Sequence, residues 1–137
     1  MLDNAGIKMA QGERISCEQI EGVNDNMSEP HYHDFFELYY LESGERYHII
    51  QDELTILKPG DFMLFSPYLM HYSYGKENIP FKRIVLYFDI DKIESKELYH
   101  RLLLGCGFYP ADKNVRFSIH KILEMLLVEE NNTNDFS

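Results

Sequence analysis

The sequence predicts a mainly β protein, an antiparallel barrel or jelly roll followed by two α-helices. About eight short segments rich in β-branched and aromatic residues fill the chain up to Asp89, with turn residues roughly every 8–12 positions. After Asp89 the hydrophobic period changes from two to about 3.6, as in amphipathic helices. The 137 residues suffice for one hydrophobic core without disulfides.

The predicted strands follow one another through short connections. Residues 14–21 predict an edge strand, and the aromatic run 35–42 predicts a strand buried on both faces, because it lacks polar alternation. The turn Lys58-Pro59-Gly60-Asp61 separates two later strands, since proline presets φ and glycine tolerates a positive φ. The remaining predicted strands are 46–51, 54–57, 62–66, 71–74 and 81–89.

Two helices are predicted after the strands. Asp91 and Glu94 predict a capping box for the first helix, and Gly105 and Gly107 predict its end. Its apolar face consists of Leu98, Tyr99, Leu102 and Leu103. The second helix, about residues 117–130, has a wide apolar stripe that can pack on its own barrel or on a second copy of the chain. This stripe consists of Ile119, Ile122, Leu123, Leu126 and Leu127.

Composition and charge limit the function classes. The chain has 23 acidic and 13 scattered basic residues, a net charge of −10, so we expect no nucleic-acid binding by this chain alone. The absence of a signal peptide and of an apolar run near about 18 residues predicts a cytoplasmic protein without membrane contact. Cys17 and Cys106 form no metal-binding or redox motif and are expected to be reduced thiols.

Three histidines and one carboxylate form the candidate site. His31 and His33 alternate on an extended segment, so their side chains point to the same side, and Glu37 keeps that parity. His71 adds a fourth donor from a separate hairpin. This donor set suits a divalent ion such as zinc, nickel, iron or manganese. Each histidine taken alone can equally be an ordinary rim or interior residue.

The spacing of these residues resembles the motifs of the cupin superfamily. His31, His33, Glu37 and Gly44 match its first motif, and Gly60 and His71 match its second. More closely, the chain resembles the sugar-binding and dimerisation domain of AraC-type transcriptional regulators. The resemblance implies a cupin-type double-stranded β-helix, a jelly-roll barrel, over roughly residues 12–90, followed by helices used for dimerisation.

The resemblance also implies a division of the chain and a function. We expect an N-terminal arm (1–13), a cupin barrel (14–90), a helical dimerisation segment (91–130) and a linker (131–137) toward a DNA-binding domain outside this sequence. The expected function is non-enzymatic: a sugar-like effector binds in the barrel of a homodimer and controls the attached helix-turn-helix domain. The arm is a candidate for gating by the effector. No cofactor is required for this function, although the histidine cluster can bind a divalent metal.

Strand parity predicts which side chains surround the effector. Tyr39 and Leu41 share the parity of Glu37, and Tyr47, Ile49 and Met63 are further candidates for the interior. Aromatic rings with polar tips suit a sugar, because the rings cover its C–H surfaces, although the same rings can simply fill the core. The predicted ligand-binding residues are His31, His33, Glu37, Tyr39, Tyr47, Phe65, His71 and Tyr87.

The alternative is a stand-alone metal-dependent cupin enzyme, an isomerase or dioxygenase, in which the three histidines and Glu37 hold the ion. Two departures from the enzyme pattern weaken it. The turn before the last histidine is Pro67-Tyr68-Leu69 instead of Pro-x-Gly, and Gly75 stands where the enzymes have Asn. Tyr39 or Tyr87 could act as acid or base, but the sequence selects neither.

Overall fold

The computed structural model describes residues 3–23, 33–89, 96–112, 114 and 120–128. The helices α1 (Asn4–Ala10) and α2 (Lys96–Leu104) lie wholly within these residues. Residues 120–128 are also helical and are here called the C-terminal helix. The strands are β1 (Ile15–Gly22), β2 (Phe36–Ser43), β3 (Arg46–Ile50), β4 (Glu53–Leu57), β5 (Phe62–Phe65), β6 (His71–Tyr74), β7 (Phe81–Phe88) and β8 (Gly107–Tyr109).

The strands form two antiparallel sheets, which confirms the predicted mainly β barrel. One sheet has the order β1-β7-β2-β5-β8, and the other has the order β4-β3-β6. β1 lies at an edge, as predicted. The chain passes from the first sheet to the second between β2 and β3, around Gly44.

The hydrophobic core has two parts on opposite faces of the five-stranded sheet. The first part lies between the sheets, in the space here called the barrel interior, and includes Tyr39, Leu57 and Val85. The second part lies outside that sheet and includes Cys17, Tyr40, Ile84 and Leu123. Tyr39 and Tyr40 are both 1% exposed, so β2 is buried on both faces as its unbroken aromatic run predicts.

Helix α1 lies in the segment predicted as an arm, where the sequence indicated no periodic structure. Asp3 caps it by accepting a hydrogen bond from the Gly6 amide at 2.7 Å, and the Ala5 amide donates to Glu18 at 2.9 Å. Ala5 and Met9 are buried in the barrel interior. With seven residues, α1 is too short for a 3.6-residue period to stand out.

The segment after α2 differs from its prediction. The helix ends as expected, because the Gly105 amide bonds to the carbonyls of Arg101 and Leu102 at 3.0 and 3.1 Å. Gly107 was expected to belong to this helix end, but it begins β8 and pairs with Leu64 of β5. The predicted capping box at Asp91 and Glu94 and the linker 131–137 lie outside the described residues.

The C-terminal helix packs its apolar stripe on its own barrel. Leu123 is 1% exposed, and Leu126 and Leu127 pack against the same outer part of the core. Ile122 points away and is 54% exposed, and Ile119 lies outside the described residues. Of the two alternatives left open by the sequence, packing within the chain therefore accounts for Leu123, Leu126 and Leu127.

Gly44 should not tolerate a side chain. Its φ is 88°, and an added Cβ would lie 2.6 Å from the Pro80 carbonyl oxygen and 2.8 Å from Phe81 Cβ. We expect Gly44→Ala to lower the free energy of unfolding by about 3 kcal/mol, the sum of left-handed strain and overpacking. Gly12→Ala is the matched control, because Gly12 has φ 98° but open space around it, and should cost about 1 kcal/mol. Urea denaturation measures both, and equal losses would contradict the packing argument.

Candidate functional site

Three potential metal ligands meet at one end of the barrel interior. Glu37 lies at the start of β2, His33 precedes that strand, and His71 begins β6 in the opposite sheet. The Glu37 carboxylate oxygen Oε1 lies 2.9 Å from His33 Nε2 and 3.5 Å from His71 Nε2. One ligand atom from each residue lies within 4.8 Å of the others. The structure thus brings together three of the four predicted ligands, and His31 lies outside the described residues.

Backbone carbonyls and aromatic rings fix the orientation of both imidazoles. Nδ1 of His33 is 2.8 Å from the Phe35 carbonyl oxygen, and Nδ1 of His71 is 2.9 Å from the Leu69 carbonyl oxygen. Both rings stack at a centroid distance of 4.2 Å, His33 on Phe35 and His71 on Phe65. Since a carbonyl only accepts, each Nδ1 donates its proton, and both Nε2 atoms face Glu37.

The charges in this cluster stabilise one another. Burial raises the pKa of Glu37, but the hydrogen bonds and positive charge of His33 and His71 outweigh burial and hold it well below its usual range. Burial lowers the pKa of His71, but its hydrogen bond and ion pair with Glu37 outweigh burial and raise it. Glu37 is therefore ionised in the folded protein at neutral pH.

The donor set fits a divalent cation. With each Nδ1 bound to a carbonyl, the Nε2 lone pair of a neutral imidazole would face a carboxylate oxygen, and two acceptors do not bind each other. A second proton on the ring or a metal ion between the atoms resolves this conflict. Two imidazoles and one carboxylate, with each Nδ1 held by a carbonyl, is a common arrangement for iron, zinc, nickel or manganese.

Tyr39, Phe65 and Tyr87 share the barrel interior with this cluster, as their parity predicts. Phe65 is fully buried beneath His71. The Tyr87 hydroxyl donates to Asp3 at 2.7 Å, and its ring lies 5.7 Å from that of His33. The Tyr39 hydroxyl is buried near the Arg46 side chain, and within the described part of the chain it has no partner that meets hydrogen-bond geometry.

Tyr47 does not face the interior, so the parity predicted for β3 is wrong. Its hydroxyl donates to Glu45 at 2.7 Å, and its ring stacks on Tyr74 on the outer face of the smaller sheet. The buried side chains of β3 are Arg46 and His48. Parity counted along β2 does not carry over to β3, because the chain changes sheets at Gly44 and β2 has a bulge between Leu41 and Ser43.

The interior polar residues missed by sequence reasoning are Arg46, His48, Ser73 and Arg83. Arg46 donates to the Ser73 hydroxyl at 3.2 Å and lies 4.1 Å from the centre of the Phe81 ring. The Arg83 guanidinium lies 5.2 Å from the centre of the Tyr39 ring. The alternation of Arg46 and His48 with Tyr47 and Ile49 was the available signal, but a core is expected to be apolar, which favoured the wrong face.

His48 is the most deeply buried of these polar groups. Its side chain is 1% exposed, and its ring meets the Tyr39 ring edge-on at 4.4 Å. Neither ring nitrogen has a hydrogen-bond partner among the residues that the structure describes. Burial lowers the pKa of His48 to about 3, so the ring is neutral at physiological pH, with one donor and one acceptor available.

Comparison with known proteins identifies the family. The model of the AraC-like ligand binding domain matches residues 16–126, which spans both sheets and most of the C-terminal helix. The chain belongs to the AraC-like ligand-binding domain family. This agrees with the resemblance noted from His31, His33, Glu37, Gly44, Gly60 and His71.

Solved structures show the same fold for this AraC-like domain. A cupin superfamily protein from Desulfitobacterium hafniense is 19% identical with a TM-score of 0.50, over 58% of this chain and 71% of its own. An RmlC-like cupin family protein with a double-stranded β-helix fold from Methanocaldococcus jannaschii is 14% identical with a TM-score of 0.51, over 61% and 78%. At this identity the likeness shows the cupin fold.

A curated relative of this AraC-like domain is named as a transcriptional regulator. The uncharacterized HTH-type transcriptional regulator YbfI of Bacillus subtilis (strain 168) is 43% identical over 37 residues, which cover 27% of this chain and 14% of YbfI. The matched segment is thus a small part of that relative. Among the described residues, none of the helices has the length and apolar character needed to cross a membrane.

Proposed function

We propose that this AraC-like domain is the effector-sensing part of a transcriptional regulator and that its effector is a small, sugar-like molecule bound in the barrel interior. The main support is a set of buried polar atoms that lack hydrogen-bond partners among the described residues, namely Tyr39 Oη and both ring nitrogens of His48. A buried polar group without a hydrogen bond costs about 1–3 kcal/mol. Ligand hydroxyl groups can pair with these atoms while the aromatic rings cover C–H surfaces.

The route from effector to response begins at α1. Asp3 bonds to Tyr87 and Met9 is buried in the interior, so an effector that moves Tyr87 also moves α1. Such coupling requires the effector to bind one arrangement more tightly than the other, usually by about 1–3 kcal/mol. In this proposal the signal passes to a DNA-binding domain outside the 137 residues. The regulator is proposed to act in the cytoplasm.

We also propose a homodimer, formed through a face that shares Ile122 with the interface expected from the sequence but not Leu123, Leu126 or Leu127. With Leu123 buried, the exposed apolar residues of the C-terminal helix are Ile122, Met125 and Val128, which are 54%, 62% and 58% exposed. Their i, i+3, i+6 spacing places them on the side facing away from the barrel. A second copy of this face is the occupant we propose for it.

Charging this face should separate the dimer without unfolding the domain. We expect the double variant Ile122→Glu and Met125→Glu to be monomeric in sedimentation velocity experiments. Its free energy of unfolding should lie within about 0.5 kcal/mol of that of the wild type measured at a dilution at which the dimer dissociates. Leu54→Glu is the control, since Leu54 is 53% exposed on β4 and lies outside the C-terminal helix. A double variant that dimerises as tightly as the wild type would contradict this interface.

Two observations favour binding over catalysis. Burial raises the pKa of Tyr39, and burial together with Glu37 and Asp3 raises the pKa of Tyr87 well above its usual value. Both tyrosines, the acid–base candidates of the enzyme alternative, therefore remain protonated near neutral pH, which disfavours either one as a general base and leaves both as hydrogen-bonding groups. If a metal binds at His33, Glu37 and His71, its role in this proposal is to orient an effector oxygen.

The proposal is tested by measuring thermal stability with a panel of neutral sugars, sugar acids and sugar phosphates. A bound effector should raise the Tm by several degrees, because it binds only the folded state. Tyr39→Phe should weaken that ligand about tenfold, the loss expected for one buried hydrogen bond. Tyr47→Phe is the control, since Tyr47 faces outward. A ligand whose affinity is unchanged by Tyr39→Phe but lost in Tyr47→Phe would contradict binding in the interior.

A further inference from the structure

We propose that the effector is an anion, whose carboxylate or phosphate group binds between Arg83, His48 and Tyr39 in the barrel interior. This inference rests on the proposed function, because it names the chemical class of ligand for the same interior. Its support is the Arg83 guanidinium between the sheets and the polar atoms of Tyr39 and His48 beside it.

Two arginine side chains lie between the sheets. Arg46 is 3% exposed and Arg83 is half-buried, and both lie on the interior side of their strands. Glu37, the buried carboxylate of the interior, is engaged by His33 and His71. Asp3, at the rim, already accepts hydrogen bonds from Tyr87 and from the Gly6 amide. A chain of net charge −10 thus has two guanidinium groups on the interior side of its sheets.

Arg83 is the guanidinium that this arrangement leaves for a ligand. Among the described residues, no carboxylate lies within ion-pair distance of Arg83, whereas its neighbour Lys82 pairs with Glu21 at 3.2 Å on the outer face. The Arg83 guanidinium lies over the face of the Tyr39 ring, 5.2 Å from its centre. A half-buried guanidinium without an anion loses hydration that a ring face only partly replaces, so an anionic partner would stabilise it.

The neighbouring polar atoms complete a set of donors. Tyr39 supplies a hydroxyl proton and neutral His48 supplies one ring N–H, and both atoms lack partners in the described structure. The Tyr39 ring contacts both Arg83 and His48, so the three groups adjoin one another. Carboxylate and phosphate oxygens accept from all three, and a guanidinium binds such groups in a bidentate manner. A neutral sugar would satisfy the hydroxyl and the imidazole but leave the guanidinium charge unpaired.

Matched ligand pairs test the inference in the same thermal-shift panel. The probes are glucose, gluconate and glucose 6-phosphate, and galactose, galacturonate and galactose 1-phosphate. We expect at least one acid or one phosphate to raise the Tm while its neutral parent does not, and the two arms tell a carboxylate ligand from a phosphate ligand. Arg83→Gln should weaken that ligand at least about tenfold. Arg101→Gln removes the same charge from a side chain that is 75% exposed and should change nothing.

A second measurement needs no ligand. Arg83→Met removes the charge but keeps a long side chain against Tyr39, so we expect the ligand-free Tm to rise by about 2–4 °C. A lower Tm would show that Arg83 stabilises the fold and would overturn its assignment as a ligand group. Neutral sugars that bind as tightly as their acids, and equally to Arg83→Gln, would overturn the anion while leaving the sugar-binding proposal intact. A panel in which no compound binds would overturn both.

Discussion

Replacing His71 with alanine is expected to abolish tight binding of a divalent metal. Of the two imidazole ligands among the described residues, His71 is the one that comes from the sheet opposite Glu37, and its Nδ1 is held by the Leu69 carbonyl at 2.9 Å. Removing a side chain that binds the ion directly should lower the affinity for Zn²⁺ or Ni²⁺ by at least about 100-fold. Mutation of residues that only hydrogen-bond to metal ligands already lowers metal affinity by about 10–100-fold. Competition titration of the chelator-treated domain with a fluorescent chelator measures this affinity.

The control for this prediction is His100→Ala. His100 is exposed on α2, so its loss should leave the high-affinity site intact. Glu37→Gln gives a second comparison: the amide retains the size of the side chain but lacks its charge, and it should also weaken the metal strongly. Wild-type protein that binds far less than one ion per chain, or His71→Ala with wild-type affinity, would show that the cluster of His33, Glu37 and His71 is an ion-pair network without metal.

Replacing His48 with phenylalanine is expected to make the domain more resistant to acid. The buried ring has a pKa lowered to about 3, and an unfolded chain has the ordinary value of 6.5. Above pH 6.5 the ring is neutral in both states and contributes no pH dependence. Between these two pKa values the unfolded state binds the proton and the folded state does not. The free energy of unfolding therefore falls by about 1.4 kcal/mol for each unit by which the pH is lowered. The wild type should therefore lose about 2–3 kcal/mol relative to His48→Phe between neutrality and about pH 4.5.

The environment of His48 supports this sign. The aromatic rings of Tyr39 and Phe65 pack against it, and the charged groups around it are Arg46, Arg83, His71 and Glu37. Of these, only Glu37 favours protonation of the ring. Urea denaturation of both proteins at the two pH values gives the difference in unfolding free energy, with His100→Phe as an exposed control. Stability curves that remain parallel from neutral to acidic pH would show that His48 is protonated or hydrogen-bonded in the folded state.

The sequence predicted features that depend on local chemistry. Gly44 and Gly60 mark turns through their positive φ, and the parity of β2 places Glu37 and Tyr39 on one face. His71 was correctly matched to Glu37 because two motifs of fixed spacing bring the sheets together at that end. Helix α1 was not predictable in this way, because its buried residues Ala5 and Met9 are recognisable as core only once the barrel is present.

Features that depend on the path of the chain between sheets were harder to predict. The inward side of β3 is set by the crossing at Gly44, so Arg46 and His48 were missed and Tyr47 was placed on the wrong face. The role of the C-terminal stripe depends on whether a partner surface exists within the chain, and Tyr40 and Ile84 provide one. Strand β8 is held by its register with β5, and its three residues carry too little pattern to be recognised alone.

The burial of β2 on both faces places the proposed effector site on one side of the strand and the C-terminal helix on the other. Tyr39 is turned toward the space proposed for the effector, and the next residue, Tyr40, packs on the C-terminal helix through Leu123 and the ring of His120, 5.8 Å away. Tyr39 and Tyr40 are consecutive residues, joined by one peptide bond. A closely packed interior has few voids that could absorb a displacement of either side chain. If the effector binds as proposed, a shift of Tyr39 would reach the C-terminal helix through the thickness of one strand, in addition to the route through Tyr87 and α1.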